Sequence, residues 1–186
     1  MSVVPFPGDS VFDDPFVQGI LSATRGGDLE ALLLAYQQVP PGDWLHEELG
    51  RALIGLGPIL VDPALDLWAE ADSHEERGAL AGLLAACGTR DPRILEILVV
   101  GLGEAPGPAA LQLARYGDPA ALPSLSAALD ALALTPEAAD LEGLVYAIEE
   151  LGGVLTPAQA EKWEAIARLR ERAPEPEVQR LYLVGK

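Results

Sequence analysis

Cysteine, aromatic residues and positive charge are all scarce in this 186-residue chain. The single cysteine, Cys87, excludes an internal disulfide and any zinc site built on several thiolates, and it suits a reducing compartment. Aromatics make up 5% of the sequence, and β-branched residues are sparse beside Ala, Leu and Gly. That balance favours helices and disfavours a sheet protein. There is no uncharged apolar run of about 18 residues, so no membrane span is expected. The opening MSVVPFPGDSVFDD has neither a basic leader nor a sustained apolar core. No signal peptide is expected, and the cytoplasm is the expected location.

Against 12 Lys and Arg stand 29 Asp and Glu, for a net charge of −17. Residues 52–76 hold six acids (Asp62, Asp66, Glu70, Asp72, Glu75, Glu76) and no base. Residues 116–161 hold eight acids and no Lys or Arg. Such a surface keeps the chain soluble, repels nucleic acid and anionic membranes, and attracts basic proteins over a screening length of roughly 8 Å. A basic protein is the expected partner; nucleic acid and membrane are not.

What is abundant is organised. Apolar residues reach 49%, enough for a packed core at this length. The segments RGGDLEALLLAY (25–36), LGPILVDPALDLW (56–68), CGTRDPRILEIL (87–98), YGDPAALPSLSAAL (116–129) and LGGVLTPAQAEKW (151–163) share one grammar. A glycine takes the left-handed conformation that ends one helix. An Asp or Thr then caps the next, at Asp28, Asp62, Asp91, Asp118 and Thr156, with proline following in four of the five. First helices are expected near 15–25, 43–56, 74–87, 107–116 and 137–151. Second helices are expected near 29–38, 63–71, 92–102, 119–132 and 157–172. Leu122, Leu125, Leu129 and Leu132 mark one buried stripe. RILEILVVGL, apolar nearly all round, reads as a central helix covered on both sides. Residues 1–14 and 173–186 read as proline-marked ends flanking a repeat region over 15–172.

LARYGDPAALPSLSAAL (113–129), and more loosely RALIGLGPILVDPALDL (51–67), resemble the HEAT-like repeats of the phycobilisome-lyase type. The resemblance implies an all-α fold, a right-handed α-solenoid of about five stacked antiparallel helix hairpins, with the second helices lining its concave face. On that face the polar interruptions of the apolar stripes are the candidate contacts: Glu30, Gln37, Asp66, Glu70, Glu96, Ser126 and Asp130. Trp68, set among Asp66, Glu70 and Asp72, joins them as an aromatic anchor for a basic partner.

The only two histidines sit in HEELG (46–50) and HEERG (74–78), the same first-helix segment in consecutive units. His46, Glu47, His74 and Glu75 resemble the His-Glu pairs of deoxyhypusine hydroxylase, a HEAT-repeat protein that holds two irons. The resemblance implies half of a metal cradle and a non-haem-iron, oxygenase-like alternative. That family uses four such pairs and this chain has two. The other reading is that these residues open a helix, where acids favour the positive end of the dipole.

Remaining motifs carry less. FPGDSVFDD (6–14) is similar to the first block of GDSL-type hydrolases, with Ser10 as nucleophile, but the late Asp-x-x-His of that family is missing. GLGEAPG (101–107) has Pro106 where a dinucleotide loop needs its third glycine, and reads as a helix-to-helix turn. Cys87 at a helix C-terminus reads as a small core residue, since the dipole there disfavours a thiolate. The function expected is a non-catalytic, cofactor-free protein-binding module, in its most specific form an inhibitor or immunity protein of a basic toxin.

Overall fold

The computed structural model describes residues 29–40, 43–133 and 139–172, together with Gly19 and Ser22. Among the described residues the fold is all-helical, with no strand. The helices are α1 (Leu29–Gln38), α2 (Trp44–Ile54), α3 (Val61–Glu70), α4 (His74–Ala86), α5 (Pro92–Gly101), α6 (Pro106–Tyr116), α7 (Leu122–Ala131), α8 (Ala139–Glu150) and α9 (Pro157–Arg172). Short 3-10 turns, Gly57–Leu60 and Pro119–Ala121, lead into α3 and α7. The expected extension 1–14 with Ser10, most of the helix near 15–25, and the tail 173–186 lie outside the described residues. No single described helix is long and apolar enough to cross a membrane.

The stop-and-start grammar is visible in the backbone. Gly57, Gly88, Gly117 and Gly152 all have positive φ, between 58° and 80°. Gly117 ends α6, its amide donating to Leu113 O, and a Cβ there would stand 3.2 Å from the Arg90 guanidinium. Asp91 caps α5 by accepting from Arg93 N at 2.9 Å, and Asp118 caps the turn before α7 by accepting from Ala120 N at 2.9 Å. Thr156 and Gln159 form a reciprocal box, Oγ1 accepting from Gln159 N and Oε1 from Thr156 N. Asp62 departs from the expected pattern. The 3-10 turn carries the chain into α3 two residues earlier, so Asp62 lies inside the first turn, and Leu60 at the cap position offers no side-chain bond. Asp43 and Ser73, which the repeat series does not single out, cap α2 and α4 through Leu45 N and Glu76 N.

One continuous apolar core runs from Leu32 to Ile166. Leu53, Leu84, Leu98, Leu113, Leu129 and Leu144 are fully buried along it, and Cys87 is buried as a core residue. Leu125 and Leu129 carry the α7 stripe inward. α5 differs from expectation. Only Ile94 and Leu98 of that helix are buried, and Val100 is 53% exposed, so one side is covered and the other faces solvent.

Helix pairing follows a different frame from the sequence grammar. Each second helix packs on the next first helix, α1 on α2, α3 on α4, α5 on α6 and α7 on α8, while the most extensive backbone approach is between the first helices α6 and α8. From α2 into Gly57–Glu70 the chain bends by 112°, so those two helices diverge instead of lying antiparallel. Successive first helices also pack directly, α2 on α4, α4 on α6 and α6 on α8. Small residues permit this. A Cβ on Gly143 of α8 would meet the backbone oxygen of Gly107 in α6 at 2.7 Å, and Asp140 accepts from Gly107 N at 3.0 Å beside it. Second helices approach one another less closely. They form the more open layer, where the resemblance has them lining the inside of a curve.

Candidate functional site

The open spacing of the second helices leaves a groove of about 470 Å³ between α1 and α3. α1 turns Leu32, Leu33, Ala35 and Tyr36 inward, and α3 buries Val61 and Ala64. What remains on the facing sides is regular. Glu30, Leu33, Leu34 and Gln37 line the groove from α1, with Leu29, the first residue of that helix, beside them; Pro63, Asp66, Leu67 and Glu70 line it from α3. Each set follows i, i+3, i+4, i+7, the spacing of one helix face. The floor is apolar, with Leu34 left 56% exposed. The rim is acidic from both walls, with Glu30 on one side and Asp66 and Glu70 on the other, and no base lies among the lining residues. None of these three carboxylates makes an ion pair among the described residues.

The groove therefore gathers Glu30, Gln37, Asp66 and Glu70 in one place. The other expected contacts are elsewhere. Trp68 is half-buried and packs on the core, outside the groove lining. Glu96 is exposed on α5. Ser126, half-buried, and Asp130, exposed, are engaged by a neighbouring helix. Gln159, only 2% exposed, donates to Ser126 Oγ at 2.8 Å and to Asp130 Oδ1 at 2.9 Å, which fastens α9 to α7. A buried amide needs such partners, which gives these two side chains a structural part. Leu34 is the residue that polar pattern-reading passes over. The signal was present in the run Leu32-Leu33-Leu34: at 100° per residue three adjacent leucines cannot share one buried face.

A second cleft, between α2 and α4, takes in His46, Glu47 and Glu75 together with Tyr36, Gly78 and Arg115. His46 donates from Nδ1 to Val39 O at 2.9 Å and stacks on Tyr36, with ring centroids 4.0 Å apart. Burial pushes the Tyr36 phenol above its ordinary pKa. His74 does not line that cleft. Its Nδ1 pairs with Glu104 Oε2 at 2.7 Å, and Arg77 holds the other Glu104 oxygen at 3.1 Å. The two imidazoles are thus tied in opposite directions along the chain, one to the preceding loop and one to the following turn. Among the described residues no three His, Cys, Asp or Glu side chains converge as metal ligands. His46, Glu47, His74 and Glu75 do not fit the iron cradle that their sequence resemblance implies.

Beside these clefts, Arg93 bridges Asp91 and Asp62 at 2.7 and 2.8 Å. Hydrogen bonds from Arg93 hold the Asp91 carboxyl below the usual carboxylate range, and the same bonds push the guanidinium pKa upward. Arg90 stacks over Tyr116, donates to Tyr116 O, and donates to Gly117 O at 3.1 Å. The first arrangement joins α5 to α3, and the second joins the loop before α5 to the end of α6. Set against known proteins, the chain matches no family model, no curated sequence and no solved structure.

Proposed function

We propose that this chain is a non-catalytic, HEAT-like α-solenoid that binds a basic protein through the α1–α3 groove, most specifically as an inhibitor or immunity protein of a toxic enzyme. The observation that carries the reading is the meeting of Glu30, Asp66 and Glu70 around an exposed leucine, without a compensating base in the lining. An apolar floor inside a charged rim is the anatomy of a protein-binding patch: the centre supplies desolvation, the rim selects sign and speeds encounter. The net charge of −17 acts in the same direction over the whole surface. Short loops and a continuous core keep the two walls in place before a partner arrives, which limits the ordering cost of association.

The test uses immobilised full-length chain and native extract, eluted along a salt gradient and identified by mass spectrometry. Proteins with a strong positive net charge are expected on the wild type and absent from an Asp66→Lys, Glu70→Lys variant. Purified partner should bind that variant at least about tenfold more weakly in low salt, and with a flatter salt dependence. Captured proteins that are not basic, or that are retained equally by the variant, overturn the reading.

A further inference from the structure

We infer that the element seated in the α1–α3 groove is an α-helix of the partner, amphipathic, with a ridge of apolar side chains bordered on both sides by Lys or Arg. This rests on the proposed function and adds what shape the ligand has. Three features of the groove point to it.

The first is length. The walls span eight residue steps on α1 and seven on α3, which at the α-helical rise is about 10–12 Å, or two turns. A two-turn ridge with apolar side chains at i, i+3 or i+4, and i+7 fits that span. The second is the absence of backbone partners. Both walls are helices whose central amides and carbonyls are bonded within the helix, so around Leu33, Leu34, Asp66 and Leu67 the lining offers side chains. An extended peptide laid there would leave its own N–H and C=O groups facing Leu33, Leu34 and Leu67 without partners. A helix satisfies its backbone internally and brings side chains alone to the contact. The third is charge placement. Carboxylates stand on both walls, Glu30 on α1 and Asp66 and Glu70 on α3, with Leu34 and Leu67 also in the lining. A ligand basic along one edge only would leave one wall unpaired. A helix with cations flanking its apolar ridge meets both.

The experiment measures fluorescence anisotropy and helicity with synthetic peptides of about 16 residues, long enough to form helix on binding. One carries Leu along a helical face with flanking Lys. A second has the same composition with a proline at its centre. A third replaces every Lys by Glu. Proteins are the wild type, Leu34→Gln, and Asp66→Lys with Glu70→Lys; Leu34, Asp66 and Glu70 are all exposed, so the fold is retained. The basic helical peptide is expected to bind wild type and gain helicity, with at least about tenfold loss for either variant and for the proline peptide. Equal binding of the proline peptide overturns the helix and leaves the basic-partner reading standing. Equal binding of the Glu peptide overturns both. No binding of the basic helical peptide to wild type, or binding unaffected by Leu34→Gln, overturns the inference alone. Self-association of the wild type that vanishes in the charge-reversed variant assigns the groove to a second copy and also overturns it.

Discussion

Glycines show how differently one residue type acts in this fold. Gly143 and Gly78 both lie in first helices, at ordinary helical φ. Gly143 sits where α8 crosses α6, and an added Cβ meets backbone at 2.7 Å that no rotamer change relieves. Gly78 has nothing within 4 Å of the same position. Gly143→Ala should therefore destabilise by about 1–3 kcal/mol through overpacking. Gly78→Ala should stabilise by roughly 0.5–1 kcal/mol through reduced backbone freedom in the unfolded chain. Denaturant midpoints of the two variants check the contrast, and equal shifts of the same sign refute it. Tyr36 gives a pH-dependent counterpart. Burial raises its folded pKa above the ordinary 10.0, so folding favours the neutral phenol. Its contribution is complete below that ordinary value and is lost as pH climbs through the raised one. Tyr36→Phe should flatten the alkaline limb of the stability profile. A limb equally steep in the variant shows that other groups produce it, with Tyr116, also raised by burial, the first to examine.

Helix ends are where the few cations are used. Lys162 of α9 donates to Leu129 O at 2.7 Å, Arg77 of α4 to Ala71 O at 3.3 Å, and Arg90 to the carbonyls of Tyr116 and Gly117. Each closes the C-terminal carbonyls of α7, α3 or α6, where positive charge is favoured by the dipole. Gln159 does comparable work inside. Gln159→Leu would leave the Ser126 hydroxyl and the Asp130 carboxylate without their buried donor and remove half of the Thr156 box. A loss of about 2–3 kcal/mol is expected in thermal or denaturant unfolding. Asp130→Asn, which keeps an accepting oxygen, should cost much less; equal losses would show that charge and not the hydrogen bond matters. Elements of this kind were legible in sequence as far as their signals are local. Gly117-Asp118-Pro119 fixes a stop, a cap and a start within three residues: α6 ends where that predicts, and Pro119 opens a 3-10 turn that becomes α7 at Leu122. Asp62 misled because the turn ahead of it winds as 3-10, which depends on how Leu60 is buried. The pairing frame was hidden for the same reason: contacts such as Gly107 on Gly143 join residues far apart in sequence. Of the candidate site, the acidic residues were readable from charge alone, whereas the groove depends on the spacing of α1 and α3.

Over the whole molecule, these internal uses of cations sharpen the charge imbalance. Arg77, Arg90, Arg93 and Lys162 are committed to carbonyls or to other carboxylates, and none of them lines the groove. Glu30, Asp66 and Glu70 line one groove with no base in its lining, and like charges gathered in one region oppose the folded state. A site kept ready for a basic ligand therefore lowers the stability of the free chain, the usual opposition between function and stability. Asp66→Lys with Glu70→Lys moves the net charge of −17 four units toward zero and places opposite charges beside Glu30. In low salt the free variant should unfold later than wild type, by about 0.5 kcal/mol for exposed groups of this kind. In about 1 M salt, where the screening length falls to roughly 3 Å, the difference should vanish. The same substitution weakens the partner's binding, so stability and affinity must move in opposite directions. Denaturation curves at the two salt concentrations, set beside the binding measurement, decide the matter. A variant that is less stable in low salt would mean that the groove carboxylates support the fold, and the reason for their clustering would then lie in structure instead of recognition.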